Sequence, residues 1–218
     1  METPTLALVT GASRGLGAAM AETLAARGAH VIAVARTQGA LEELDDRIQA
    51  AGGQATLAPM DITEAGAMQH LCRSIHDRWG KLPVWVHTAI HTPPLTPATM
   101  IGEKDFAKTE AINVTALVRL IPYVAPLLQA AGGGTALFFD DDTTQKFAGA
   151  YLASKAAQRT LIRAWQGEAT TEGATSVHLL TPRPMPTALR ARFYPGEDRS
   201  TLTPPMEEAA RLLDQAGI

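Results

Sequence analysis

The stretch Thr10-Gly11-Ala12-Ser13-Arg14-Gly15-Leu16-Gly17 constrains the fold of this chain more than any other. The apolar residues Leu6, Ala7, Leu8 and Val9 precede it, and Leu16, Met20 and Leu24 recur after it at helical spacing. It therefore reads as a strand, a tight glycine turn and a helix start from about Gly15 to Arg27. Gly11 permits the turn, Gly15 leaves the backbone open to a ligand, and Gly17 lets the helix pack close to the strand. The free N–H groups of the helix's first turn would then face a pyrophosphate; an ordinary strand-to-helix turn is the alternative.

At 218 residues, 46% hydrophobic and 19% charged, the composition fits one soluble domain, residues 1–218, with a substantial core. The net charge of −3, with no basic run, argues against nucleic acid as a partner. Cys72 is the only cysteine and reads as a small core residue, which agrees with a reducing, cytoplasmic setting. Residues Met1 to Thr5 lack a positive region, and the apolar run after them is too short for a signal peptide or a membrane span, so no membrane partner is expected. His87 and His91 are four apart, but Pro93-Pro94 beyond them argue for a loop, so no metal site is expected.

Downstream, strand-like and helix-like segments alternate. Strands are expected at 29–35, 55–60, 83–89, 135–139 and 176–180, and helices at 38–51, 64–79, 99–131, 150–171 and 206–215. Phe106, Ile112, Leu117, Leu120, Leu127 and Leu128 form the core stripe of the 99–131 segment, and 188–193 reads as a short lid helix. The nearly all-apolar run from Ala29 to Ala35 suits a strand buried on both faces, as parallel sheets have. Arg36 ends that strand where an acid would hold a ribose 2′-hydroxyl; a cation there, with Arg14, suits a 2′-phosphate, unless Arg36 is simply a solvated strand end.

With Thr10, the Gly-x-x-x-Gly-x-Gly spacing resembles the short-chain dehydrogenase/reductase family, and the likeness extends from Thr10 to Thr187. Tyr151-Leu-Ala-Ser-Lys155 supplies its Tyr-x-x-x-Lys, Asp61-Ile62 its adenine-contacting pair, and Asn113 its helix asparagine. Pro182, Met185 and Thr187 keep part of the loop that touches the nicotinamide. The resemblance implies a doubly wound parallel sheet of the Rossmann type in strand order 3-2-1-4-5-6, the usual seventh strand absent. It further implies NADP held by Gly11, Ser13, Arg14, Gly15, Leu16, Gly17, Arg36, Asp61, Ile62, Ala89, Tyr151, Lys155, Pro182, Met185 and Thr187.

In that reading Tyr151 is the general acid/base, and Lys155, one helical turn away, lowers the tyrosine pKa toward neutrality. Asn113 orders a proton-relay water, and hydride passes between the nicotinamide and a small carbonyl or alcohol substrate. Asp61 or Thr63 could equally cap the following helix. Several positions depart from the family pattern. His87-Thr88-Ala89-Ile90 stands for Asn-Asn-Ala-Gly, Arg183 for a glycine, and Asp140-Asp141-Asp142 for the catalytic serine region. Either Asp141 stands beside Tyr151, raising its pKa and repelling an oxyanion, or Thr143 or Thr144 restores a hydroxyl. The alternative function is a family member with little or no redox activity that acts as a binding or regulatory module. Loss of the seventh strand makes a tetramer doubtful and leaves a homodimer as the expected assembly.

Overall fold

The computed structural model describes residues 5–218, so residues 1–4, part of the N-terminal stretch read above as no signal peptide, lie outside the described residues. Strand β1 (Leu6–Thr10) runs into helix α1 (Gly15–Ala26), and β2 (His30–Ala35), α2 (Gln38–Ala50), β3 (Gln54–Pro59), α3 (Ala65–Trp79) and β4 (Val84–His87) follow. The chain continues through α4 (Glu103–Glu110), α5 (Ala116–Ala130), β5 (Thr135–Phe139), α6 (Gly149–Glu168), β6 (Ser176–Leu180), α7 (Ala188–Phe193) and α8 (Pro205–Gln215). Among the described residues the six strands form one parallel sheet in the order β3-β2-β1-β4-β5-β6.

The alternation of side chains along each strand divides the core in two. Ala7 and Val9 of β1, Val31 and Ala33 of β2 and Val86 of β4 face α1, α2 and α8, meeting Met20, Leu24, Leu44 and Leu212. Leu8, Ile32, Trp85 and Phe138 face the other way, onto Met68, Cys72 and Ile75 of α3 and Leu117 and Leu120 of α5. Helices thus cover both faces, which is why the inner strands can be apolar at every position. The strand order reverses between β1 and β4, and there a crevice opens beyond the carboxyl ends of the strands.

Several expected boundaries move. β4 stops at His87 rather than residue 89, and the chain from 88 to 97, with Pro93, Pro94 and Pro97, is irregular. The 99–131 segment begins later than expected: a single 3-10 turn (Ala98–Met100) precedes Gly102, which forms the N-cap of α4. A π-helical turn, Ala111–Thr115, then joins α4 to α5. Phe106 of α4 and Ile112 within this turn are only half-buried, Ile112 packing against the margin of the core. α6 ends at Glu168, short of residue 171. The helical run from Glu103 to Ala130 holds an 18-residue window of mean hydropathy 1.6, long and apolar enough to cross a membrane, yet Leu117, Leu120, Val124 and Leu128 lie in the core.

Candidate active site

The glycine turn is wedged between two strand ends. Gly11 takes φ +92°, and the N–H groups of Gly11 and Ala12 both donate to the Val34 carbonyl at the end of β2 (2.8 and 3.1 Å). A Cβ on Gly11 would stand 2.5 Å from the Ala89 nitrogen, and one on Gly17 would stand 2.2 Å from the Gly11 carbonyl oxygen. Gly15 takes φ +56°, with the Thr187 methyl opposite it. α1 begins there with Arg14 in the N-cap position and no side chain capping it, so the first-turn N–H groups stay available. These observations fit a dinucleotide pyrophosphate: a helix N-terminus without a cap, in a turn where side chains have no room.

A cleft of about 770 Å³ opens above this turn, and every residue predicted to touch the cofactor lines it. Arg14 and Arg36 stand exposed at its edge. Arg36 Nη1 lies 3.7 Å from Asp61 Oδ2, while Asp61 Oδ1 accepts from the Thr63 N–H and hydroxyl. Neither Asp61 nor Thr63 caps α3; Glu64 holds the N-cap position without a side-chain bond. Ile62 is buried beneath Asp61. Ile90 and Arg183, on the altered motifs, also line the cleft. The Arg183 N–H donates to Glu208 of α8 at 2.8 Å, and Glu208, fully buried, is also bound by the Arg211 guanidinium. Thr187 accepts from the Arg190 N–H and so starts α7.

Tyr151 and Lys155 lie one turn apart on α6 and line the same cleft. The tyrosine hydroxyl donates to Asp141 Oδ2 at 2.8 Å, while Asp141 Oδ1 accepts from the Thr143 N–H. Asp141 therefore takes the place beside Tyr151. Thr143 turns aside, its hydroxyl 2.7 Å from the Tyr194 hydroxyl, and Thr144 is exposed. Burial first, and then the Asp141 carboxylate, push the Tyr151 phenol above its ordinary range, which corrects the expectation that Lys155 lowers it. The lysine is turned elsewhere: its ammonium donates to the Phe139 carbonyl at 2.5 Å and to Gln158 Oε1 at 3.0 Å. Burial lowers Lys155 to about 8 against the opposing pull of Asp140 and Asp141. Burial works to raise the Asp140 carboxyl, but the Arg159 guanidinium, 2.5 Å away, outweighs it and holds it below its usual range.

Asn113 is fully buried in the π-helical turn and does not line the cleft. Its side chain accepts from the His91 N–H at 2.7 Å and donates to the His91 carbonyl and the Ser154 hydroxyl, both at 2.9 Å. The Asn113 backbone carbonyl accepts from Gln158 Nε2 at 2.5 Å. Gln158 thus bridges Lys155 and Asn113. On β4, His87 is buried with Nδ1 2.8 Å from the Thr10 hydroxyl, and its Nε2 has no partner among the described residues. Burial, then Lys155, lower its pKa to about 3, so it is neutral. Sequence reasoning missed Gln158 and Glu208, each of which joins a neighbour on its own helix to a residue far along the chain. For Gln158 its position three residues after Lys155, on the same helix face, was the available signal.

The family profile described as short chain dehydrogenase matches residues 5–198. The chain belongs to the short chain dehydrogenase family. Its relatives include a fatty acyl-CoA reductase of Acinetobacter baylyi, 32% identical over 95% of this chain and 71% of the relative's length. A fatty acyl-CoA reductase of Mycobacterium tuberculosis is 30% identical over 80% of this chain, which spans 61% of that protein. Among solved structures, a short chain dehydrogenase from Pseudomonas syringae superposes with a TM-score of 0.90 at 29% identity, covering 98% of this chain and 91% of that one. A metagenomic short-chain oxidoreductase solved in complex with NADP gives 0.83 at 26% identity, covering 98% and 91%.

Proposed function

We propose that this short chain dehydrogenase is an NADP(H)-dependent oxidoreductase acting on a small molecule held against Tyr151. The observation that carries this reading is the shared cleft: the glycine turn and the Tyr151–Lys155 pair line one cavity although some 140 positions separate them. A bound nicotinamide would supply or accept hydride there. Gly11, Gly15 and Gly17 would cradle the pyrophosphate with Ser13 and Leu16, and Arg14 and Arg36 would meet a 2′-phosphate. Asp61, Ile62 and Ala89 would flank the adenosine side, and Pro182, Met185 and Thr187 the nicotinamide side. Related structures solved with NADP support this choice of cofactor.

Tyr151 would hold the reacting atom of the substrate, the carbonyl/hydroxyl couple being what the family suggests, with the Lys155 ammonium held rigid behind it. Tyr151→Phe keeps the ring and removes the hydroxyl, so it should abolish turnover while leaving NADPH binding intact. The measurement is NADPH fluorescence titration beside NADPH oxidation over a substrate panel; unchanged turnover would remove the mechanism. The second reading, a binding module without redox activity, draws on the Asp141 contact, which ties up the Tyr151 proton. It requires NADPH binding with no turnover anywhere in the panel.

A further inference from the structure

The hydrogen-bond polarity around Tyr151 is the reverse of what a carbonyl oxygen requires. Reduction of a ketone builds negative charge on oxygen, and that atom needs donors aimed at it. A tyrosine hydroxyl has one proton, and here it goes to Asp141 Oδ2, leaving only lone pairs to face the cleft. The neighbouring hydroxyl able to replace it, that of Thr143, is taken up with Tyr194. Lys155 directs two N–H bonds at Phe139 and Gln158. Asp140 is neutralised by Arg159, whereas among the described residues no arginine, lysine or histidine forms an ion pair with Asp141. The wall beside Tyr151 is the Phe193 ring, edge-on at 5.0 Å. The groups in contact with Tyr151 are thus the Asp141 carboxylate and the Phe193 ring, both of which favour a cationic donor, while Lys155, with a third N–H beyond those two bonds, and Arg190 and Arg192 bring positive charge to the same cleft.

We propose that the substrate of this site is a carbon–nitrogen double bond carried as its protonated iminium, with the N–H⁺ received by Asp141 and the Tyr151 oxygen. This deepens, and rests on, the reading of the site as a nicotinamide-dependent reductase. In the step, the iminium carbon accepts a hydride from a reduced nicotinamide, the C=N π pair becomes the nitrogen lone pair, and a secondary amine and oxidised nicotinamide result. No proton has to move during hydride transfer, so a Tyr151 whose proton is engaged by Asp141 is no handicap. The positive charge falls from the substrate as the reaction proceeds, so Asp141 acts by binding the protonated substrate and disfavouring an alkoxide, not by lowering the barrier from the bound state.

Two measurements test this, one of which needs no turnover. With NADPH, 3,4-dihydroisoquinoline and 1-pyrroline should be reduced roughly tenfold or more faster than the matched ketones 1-tetralone and cyclopentanone. Independently, calorimetry on the protein with NADP⁺ should show protonated 1,2,3,4-tetrahydroisoquinoline binding roughly tenfold or more tightly than 1-tetralol, and Asp141→Asn should remove that difference. Asn keeps the acceptor for the Thr143 N–H, and Asp141→Ser, with circular dichroism to verify the fold, gives a second variant that should shift preference toward ketones. Ketone preference in the unaltered protein, or amine binding unchanged in both variants, overturns the proposal. If no compound turns over but the amine binds through Asp141, the reductase reading fails while the assignment of a cationic ligand stands.

Discussion

His87 stands in the core beneath the cleft with Nδ1 against Thr10 and Nε2 without a partner among the described residues, and its neutral state is imposed by burial. The folded protein takes up this proton only near pH 3, whereas the unfolded chain does so near 6.5. Unfolding is therefore favoured progressively as pH falls from 6.5 toward 3, by about 1.4 kcal/mol per unit. His87→Asn can keep the Thr10 contact and cannot titrate. Between pH 6.5 and 4.5 the unaltered protein should lose about 2 to 3 kcal/mol more stability than the variant in urea denaturation. Lys155 gives a second pH signature. Gln158 accepts from the ammonium and so favours its charged form; Gln158→Leu should lower the midpoint near 8 and move the alkaline fall in turnover to lower pH. A variant that lost stability with no movement of that limb would reduce Gln158 to a packing role. These side chains show how far spacing carries. Tyr151 and Lys155 were legible because i and i+4 share a helix face, but spacing does not reveal where each N–H or O–H points. Asp141 claims one proton and Phe139 another, contacts that only the closed sheet creates, while Gln158 claims a further one within the same helix.

Among the elements, the β1-turn-α1 unit is where sequence and structure agree most closely, since apolar residues, turn glycines and helical period are all local signals. What the sequence hid was that Gly17 is needed for a contact with the residue that follows β4: its missing Cβ makes room for the Thr88 hydroxyl as well as the Gly11 carbonyl. Gly17→Ala would press a methyl against backbone and should destabilise by about 3 kcal/mol or more while abolishing NADPH binding. Gly167→Ala is the control. It lies within α6 with nothing within 4 Å of the added Cβ, and should stabilise by about 0.5 to 1 kcal/mol. Thermal unfolding of the two variants checks both signs. The π-helical turn leaves no period of its own, since it is one widened turn; only Asn113, at the position of the helix-bending asparagine that the resemblance implies, marked the place.

At the scale of the molecule, α8 ties the far end of the sequence to both the core and the cleft. Ala209, Leu212 and Leu213 are fully buried in the cluster that includes Met20 and Leu24 of α1, and Arg27 after α1 pairs with Asp214 at 2.7 Å. Glu208 of the same helix receives the Arg183 N–H, so the loop proposed to flank the nicotinamide hangs from α8. Glu208→Ala would leave that N–H and the Arg211 guanidinium without their acceptor, which should cost about 3 kcal/mol. Hydrogen exchange should quicken at residue 183 while residues 6–10 of β1 stay protected; equal loosening of both would show that Glu208 supports the whole core instead. The order of biosynthesis gives this arrangement a further consequence. Helix α1 leaves the ribosome well before α8, and its outer side stays bare until residues 205–215 have also emerged. A nascent chain thus carries an uncovered greasy flank throughout the synthesis of the residues between α1 and α8, and a premature stop ahead of Pro205 should yield a product captured by chaperones or cleared by proteases.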